Sequence, residues 1–265
     1  MAITTLDGAI AGMRVPENFI KVGGAGEAAG VWHSKFYESG SPGAAAAPTP
    51  GVDGAALTSY TGQIPWTNPV SGNSYLARFD ANASVACTVL LLDRLWHNSG
   101  LSVTSTSSQA ISSPTWPARD MNGATSGHGL LAACEWSAAG GAGTPTVTLT
   151  YTDQDANTGA TATFTGNTTP AAGTFETWPL AAGDTGIRAI SAYQASATRT
   201  SGTMHLVVYR ILARVGCNVA NLSYAVDALT SGFPRLYNNT VPFIVIIPTA
   251  TTAVNVSGAV IVTQG

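Results

Sequence analysis

Asp93-Arg94-Leu95-Trp96-His97-Asn98 is the densest run of polar and aromatic side chains in the chain. Acid–base catalysis by an imidazole needs a group that orients its second nitrogen, so His97 would be the base here and Asp93 its partner. The competing reading has Asp93 and Arg94 bracing a loop while Trp96 enters the core. It is preferred because no nucleophile motif accompanies the histidine: Gly-x-Ser-x-Gly occurs nowhere. His33, His97, His128 and His205 are too far apart for a His-x-x-x-His metal pair. Asp153, Asp155 and Asn157 alternate like the start of a calcium loop, yet Thr158 and Phe164 stand where its glycine and final glutamate belong. Gly23-Gly24-Ala25-Gly26 lacks the lysine and hydroxyl of a phosphate loop and reads as backbone flexibility. Cys87, Cys134 and Cys217 fall in no zinc-like cluster and read as small buried hydrophobes made in a reducing cytoplasm. The 14 acidic residues are scattered singly and show no pair for glycoside cleavage. No catalytic residue, cofactor or metal is therefore expected.

The large aromatics suggest contacts instead. Trp116-Pro117 and Trp178-Pro179 put an indole before a proline, which fixes an extended backbone and presents a flat ring. Such rings can stack on sugars; anchoring a loop against a partner or the core is the preferred reading. Trp32, Phe36 and Tyr37 punctuate a Gly-, Ala- and Pro-rich stretch from 23 to 54 that has too little bulk for its own core. That stretch is expected to be an arm lying across a neighbouring subunit rather than a free linker. With Phe243 in a late apolar segment, the candidate interface residues are Trp32, Phe36, Tyr37, Trp116, Trp178 and Phe243.

The elements that must position these residues read as strands. Candidates are Tyr75–Phe79, Ser84–Leu92, Leu130–Ser137, Thr146–Thr152, Thr158–Thr165, Phe175–Pro179, Ile187–Gln194 and Thr203–Ala213, separated by turn signals. Residues 146–151 alternate strictly, as one buried and one wet face require, and 153–157 reads as a hairpin turn. Val89–Trp96 fits a strand or a helix equally well. After Arg214 come a mixed stretch from Val219 to Phe233, a turn at 234–237, an apolar strand at Pro242–Ile247 and a weakly alternating segment at Ala253–Val262. The expected fold is all-β, a jelly-roll-like antiparallel β-sandwich with an extended N-terminal arm and a C-terminal extension. The expected boundaries are 1–60 for the arm and loops, 61–215 for the sandwich and 216–265 for the extension.

Charged residues are only 9% of the 265, and just two of them, Lys21 and Lys35, are lysines. Soluble domains carry about 25%, so much of this surface is expected to face sister molecules rather than bulk water. A formal net charge of −3 gives no electrostatic reason to expect nucleic acid as a partner. The longest apolar runs are far too short for a membrane-spanning helix. The opening residues, MAITTLDGAIAG, lack the pattern of a secretory signal, so the mature protein is expected to begin there.

Leu76–Phe79, Leu91–Gly100, Thr115–Asp120 and Ala182–Arg188 together resemble a group of tailed-bacteriophage virion proteins, over roughly residues 1–215. The resemblance implies a place in the virus particle and brings no catalytic motif with it. The functional expectation is a non-enzymatic capsid decoration or cement protein on the outer capsid surface, made in the host cytoplasm. Its partners would be the major capsid protein and copies of itself as a homotrimer, with no nucleic acid and no membrane. The alternative is a receptor- or glycan-binding tail component in which Trp116 and Trp178 stack on sugars; a polysaccharide hydrolase is the third reading.

Overall fold

The computed structural model describes residues 3–265. Its elements begin with α1 (Leu6–Ala11), β1 (Glu17–Lys21), β2 (His33–Ser34), β3 (Gly40–Ser41), β4 (Ala55–Ala56), β5 (Ser74–Ala83), β6 (Cys87–His97), β7 (Gln109–Ala110) and β8 (Leu131–Ala138). They continue with β9 (Thr146–Asp153), β10 (Thr158–Thr165), β11 (Phe175–Thr177), β12 (Ile187–Ala195), β13 (Thr203–Cys217) and β14 (Tyr224–Asp227). After α2 (Ala228–Ser231) follow β15 (Arg235–Leu236), β16 (Pro242–Pro248) and β17 (Val256–Gln264). The fold is all-β, with antiparallel sheets packed as sandwiches.

Each of the eight expected strand segments falls on a strand. In β9 the alternation is literal: Val147, Leu149, Tyr151 and Asp153 are buried and the residues between them are not. The ambiguous segment Val89–Trp96 is the body of β6, whose residues from Val89 to His97 are all buried. A strand covered on both faces has no polar side to reveal its period, so its sequence looks like a buried helix. The stretch read as a turn at 234–237 holds the short β15, paired with β5.

The chain forms two compact units, and β6 and β13 each contribute residues to both. The first unit holds residues 3–46, 58–93 and 211–265. One of its layers runs β14-β5-β17-β1-β3, with β15 also on β5. The other contains β16 hydrogen-bonded to β2 and to the first half of β6. Phe79 from β5, Leu91 from β6, Leu212 from β13, Ile244 from β16 and Val260 from β17 share one buried cluster. Gly258 makes the central pairing possible, because a Cβ there would stand 2.0 Å from the Asp80 carbonyl of β5.

The second unit holds residues 47–57 and 94–210. Its four-stranded layer runs β10-β9-β12-β7. The facing strands include β8, which pairs with β11 and with the first half of β13. Between them lie Trp96, Trp116, Trp136, Leu149, Tyr151, Ile190 and Leu206.

These units cut across the segments expected from the sequence. Residues 216–265 supply β17, which lies inside its sheet between β5 and β1, so this end of the chain provides a central strand of that layer. The expected arm folds back on its own chain: Lys35 N donates to the Ile244 carbonyl at 2.9 Å and Ala45 N to that of Phe36 at 2.9 Å. Further along, Ser99 N donates to the Gly51 carbonyl at 2.9 Å, and Trp96 Nε1 to that of Asp53 at 3.1 Å. Small residues signal weak local structure, but they do not tell which surface the backbone will follow.

Candidate interaction surface

The enzymatic reading of His97, set aside in favour of a structural role, needs Asp93 beside its ring, and the geometry does not supply that pair. In a strand, residues 93 and 97 stand about 13 Å apart at roughly 3.3 Å per residue, too far for Asp93 to hold the ring. His97 Nδ1 instead accepts from Arg94 Nε at 3.2 Å, and the ring is buried. Burial, followed by the nearby positive charge of Arg94, pushes its pKa down to about 2. The other chemical motifs also satisfy themselves. Asp153 accepts from Asp155 N, Asn157 N and Asn157 Nδ2 and so closes the hairpin turn. In the glycine-rich stretch Gly24 N donates to Glu27 Oε1 at 2.6 Å, giving that amide a carboxylate of its own chain.

Much of the scarce charge is inside. Lys21, Glu27, Lys35, Asp93, Arg94, Arg119, Asp120, Glu135, Asp153, Glu176, Arg199 and Arg210 are buried, leaving thirteen of the 25 charged side chains for the surface. Several of these buried ions are held by opposite charges or backbone groups, which offsets their desolvation. Lys35 Nζ contacts the Glu27 carboxylate and donates to the Val254 carbonyl at 2.7 Å, while Val254 N donates to Glu27 Oε2 at 2.8 Å. Arg94 Nη2 meets Glu135 Oε2 at 2.6 Å with both side chains fully enclosed. Asp120 takes hydrogen bonds from Asn122 N, Ala124 N, Ser126 Oγ and Gly127 N. Burial alone would raise its pKa, and those bonds bring the net shift below the ordinary value.

Both lysines of the sequence are among these buried groups. Lys21 Nζ donates to the carbonyls of Glu38 at 3.0 Å and Gly43 at 3.1 Å, and burial lowers its pKa to about 8 against the pull of Glu38. An N-hydroxysuccinimide ester is therefore expected to leave Lys21 and Lys35 unmodified in the native protein and to acylate both after denaturation in urea. Peptide mass spectrometry reads this directly, and native acylation at the rate of an exposed lysine would refute the burial.

Four of the six rings expected at an interface are interior instead: Phe36, Trp116, Trp178 and Phe243 are each at most 3% exposed. Phe36 packs against Phe243 and Tyr60 with ring centres 5.5 and 5.7 Å away. Trp116 lies 5.4 Å from Trp96 and donates its Nε1 to the Ile187 carbonyl at 2.9 Å. Trp178 meets the Phe164 ring at 5.1 Å. Trp32 and Tyr37 are half-buried. An indole offers so much apolar area that folding covers it whenever a core is in reach. The interface expectation is corrected for these four rings, and neither Trp116 nor Trp178 has a free face on which a sugar could stack.

What the first unit does present is a pocket of about 330 Å3. Its apolar lining comes from Leu91, Leu212, Leu236, Pro242, Val260 and Val262, which belong to five different strands. Trp66, Val15 and Val70 extend that character outward; Val15 is 83% exposed and Val70 wholly so. Polar atoms at the pocket are held in place. Arg14 Nε donates to Gln264 Oε1 at 2.8 Å, Gln264 Nε2 donates to the Thr67 carbonyl at 3.1 Å, and Trp66 Nε1 donates to Asn68 Oδ1 at 2.9 Å.

Immediately before Arg14 in the chain lies α1, capped by Thr5, whose hydroxyl accepts from Gly8 N at 3.0 Å. The helix buries none of its residues, and Leu6 and Ile10 are 60% and 57% exposed. It is tied down at its end: Thr263 Oγ1 donates to the Ala9 carbonyl at 2.6 Å and Gln264 N to that of Gly12 at 2.9 Å. Sequence reasoning passed over this helix. The signal was there in Thr5 as a cap with Leu6 and Ile10 four residues apart.

No family model matches the chain, and no curated protein matches it. Among solved structures, a chain from the infectious bursal disease virus Gt strain aligns at 11% identity and a TM-score of 0.12, covering 95% of this chain and 42% of that one. This chain thus spans less than half the length of that neighbour, and a TM-score so low supports no shared fold or function. The class established by the structure is an all-β protein of antiparallel sandwiches.

Proposed function

We propose that this is a non-enzymatic structural protein of tailed-bacteriophage particles, a capsid decoration or cement protein that stabilises the head lattice through contacts with the major capsid protein and with its own copies. The observation that carries the reading is the depletion of surface charge. A chain already poor in ionic groups encloses nearly half of them, while Leu6, Ile10, Val15 and Val70 stay in contact with solvent. Burying such residues against a partner stabilises assembly by about 25 cal/mol per Å2 of apolar area. The glycan-binding alternative loses its support with the enclosure of Trp116 and Trp178.

The test is addition of purified protein to capsids of its phage that lack it. The expected result is saturable binding in a fixed ratio to the major capsid protein and a higher rupture temperature of the filled heads. Absence of the protein from purified virions, or its presence on tail tips alone, would remove the reading.

A further inference from the structure

We infer that Cys87 and Cys217 form a cross-link site, a pair of thiols that a two-electron oxidant of the peroxide class closes into a disulfide locking β6 to β13. The inference stands on this chain alone and does not depend on the proposed function. β6 and β13 are neighbours in one sheet. Just past the end of β6, Asn98 N donates to the Leu206 carbonyl at 3.1 Å. The same number of residues along each strand from that bond stand Cys87 and Cys217. Both belong to the first unit and to its buried cluster. Their thiols lie within hydrogen-bond reach of each other, and Cys217 Sγ also donates to the Ala81 carbonyl at 3.5 Å. Residues facing each other on antiparallel strands have Cα atoms about 4.5–5.5 Å apart, a span that a disulfide takes without moving the backbone.

The contact also sets the order of the chemistry. A thiolate is the attacking species, and the hydrogen bond between the pair lowers the pKa of Cys217 against the opposing effect of burial while it raises that of Cys87. Cys217 therefore reacts first: its sulfur attacks a peroxide oxygen, the O–O bond breaks, and a sulfenic acid and one water result. The Cys87 sulfur then attacks the sulfenic sulfur. The S–S bond forms, the S–O bond breaks, and the oxygen leaves with the Cys87 proton as a second water. Two thiols have then lost two electrons and two protons, and the peroxide has become water. Cys87 opens β6 and Cys217 closes β13. Strand ends open locally at the least cost, which admits an oxidant as small as hydrogen peroxide to side chains that are 3% and 0% exposed. Residues 94–210 of the second unit lie between the two cysteines in the chain. The link therefore closes a long loop and removes many conformations from the unfolded chain. Cys134 belongs to the other buried cluster and serves as an internal control.

Hydrogen peroxide added to the purified full chain, first reduced and then freed of reductant, tests this. The treated protein is unfolded in urea with iodoacetamide, digested without reduction and read by peptide mass spectrometry. The expected result is a linked peptide pair holding Cys87 and Cys217, with Cys134 alone alkylated; the untreated chain should be alkylated at all three cysteines. The oxidised chain should unfold at a urea midpoint higher by on the order of 1 M, and dithiothreitol should return it to the starting value. Cys87→Ala and Cys217→Ala should each keep their own midpoint after peroxide, which separates the link from oxidation elsewhere. Three alkylated cysteines after peroxide, a link through Cys134, a sulfinic acid at either thiol in place of the link, or a linked chain with an unmoved midpoint would each overturn the inference.

Discussion

Glu135→Gln is expected to lower the stability of the protein by about 3–5 kcal/mol, the usual cost of stripping one partner from an enclosed ion pair. The carboxylate meets Arg94 at 2.6 Å, and neither side chain touches solvent. The neutral amide keeps the shape and removes the charge, so a guanidinium that cannot lose its proton stays in a poorly polarisable interior. Its Nε bond to His97 and the bond from Arg119 Nη2 to the Arg94 carbonyl hold that side chain and backbone in place and restrict relaxation. Replacing both partners, Arg94→Met with Glu135→Leu, is expected to recover most of the loss, because the uncompensated charge goes with them. Urea unfolding of the single and double variants measures both effects. A single variant within about 1 kcal/mol of the parent would mean that water reaches the pair.

Acid is expected to unfold this protein well above the pH at which carboxylates alone titrate. Three histidines are buried in neutral form. His33 Nε2 accepts from Ala28 N at 2.9 Å, His97 Nδ1 accepts from Arg94, and His205 bridges Ser137 Oγ and the Asn98 carbonyl. Burial is the main cause in each case. It brings His33 from 6.5 down to about 4 against the pull of Glu27, and it lowers His97 further and His205 in the same direction.

The sign follows from proton uptake. Below about pH 6.5 the unfolded chain binds protons that the native state refuses, so stability is full above that value and falls with decreasing pH until the native groups titrate. At 1.36 kcal/mol per unit, His33 alone accounts for up to about 3 kcal/mol between pH 6.5 and pH 4. Asp120 adds to the loss at the acid end. Its native pKa is depressed, so its contribution is present above the unfolded value and disappears as the pH falls through the native one. The urea midpoint should drop steeply from pH 7 to pH 4.5. His97→Gln, which keeps an acceptor for Arg94 but cannot titrate, should flatten that dependence. A midpoint constant over this interval would show that the histidines ionise freely in the native state.

The strands were legible because their signal is local. Alternation from Thr146 to Thr152 and the turn at 153–157 depend only on neighbours in the chain, and β9 and β10 form there as a hairpin. The readings that needed a partner's identity fared differently. Glu27 holds Val254 N across 227 positions, and Asp93 holds Val241 N across 148. No local pattern announces such bonds, so charges that seemed to belong to a sparse surface lie in the interior. Phe36 and Phe243 are likewise far apart in sequence and pack ring against ring in the interior, whereas the composition around Phe36 suggested an arm reaching across a neighbouring subunit.

By itself the sequence determined the all-β class, the positions of most strands and the scarcity of charge, because backbone preference and side-chain periodicity act over a few residues. Tertiary structure alone decided which charges, rings and lysines are enclosed and which apolar side chains are left outside. Burial depends on surfaces brought together from distant parts of the chain, and the free energy of desolvation exists only once those surfaces have met.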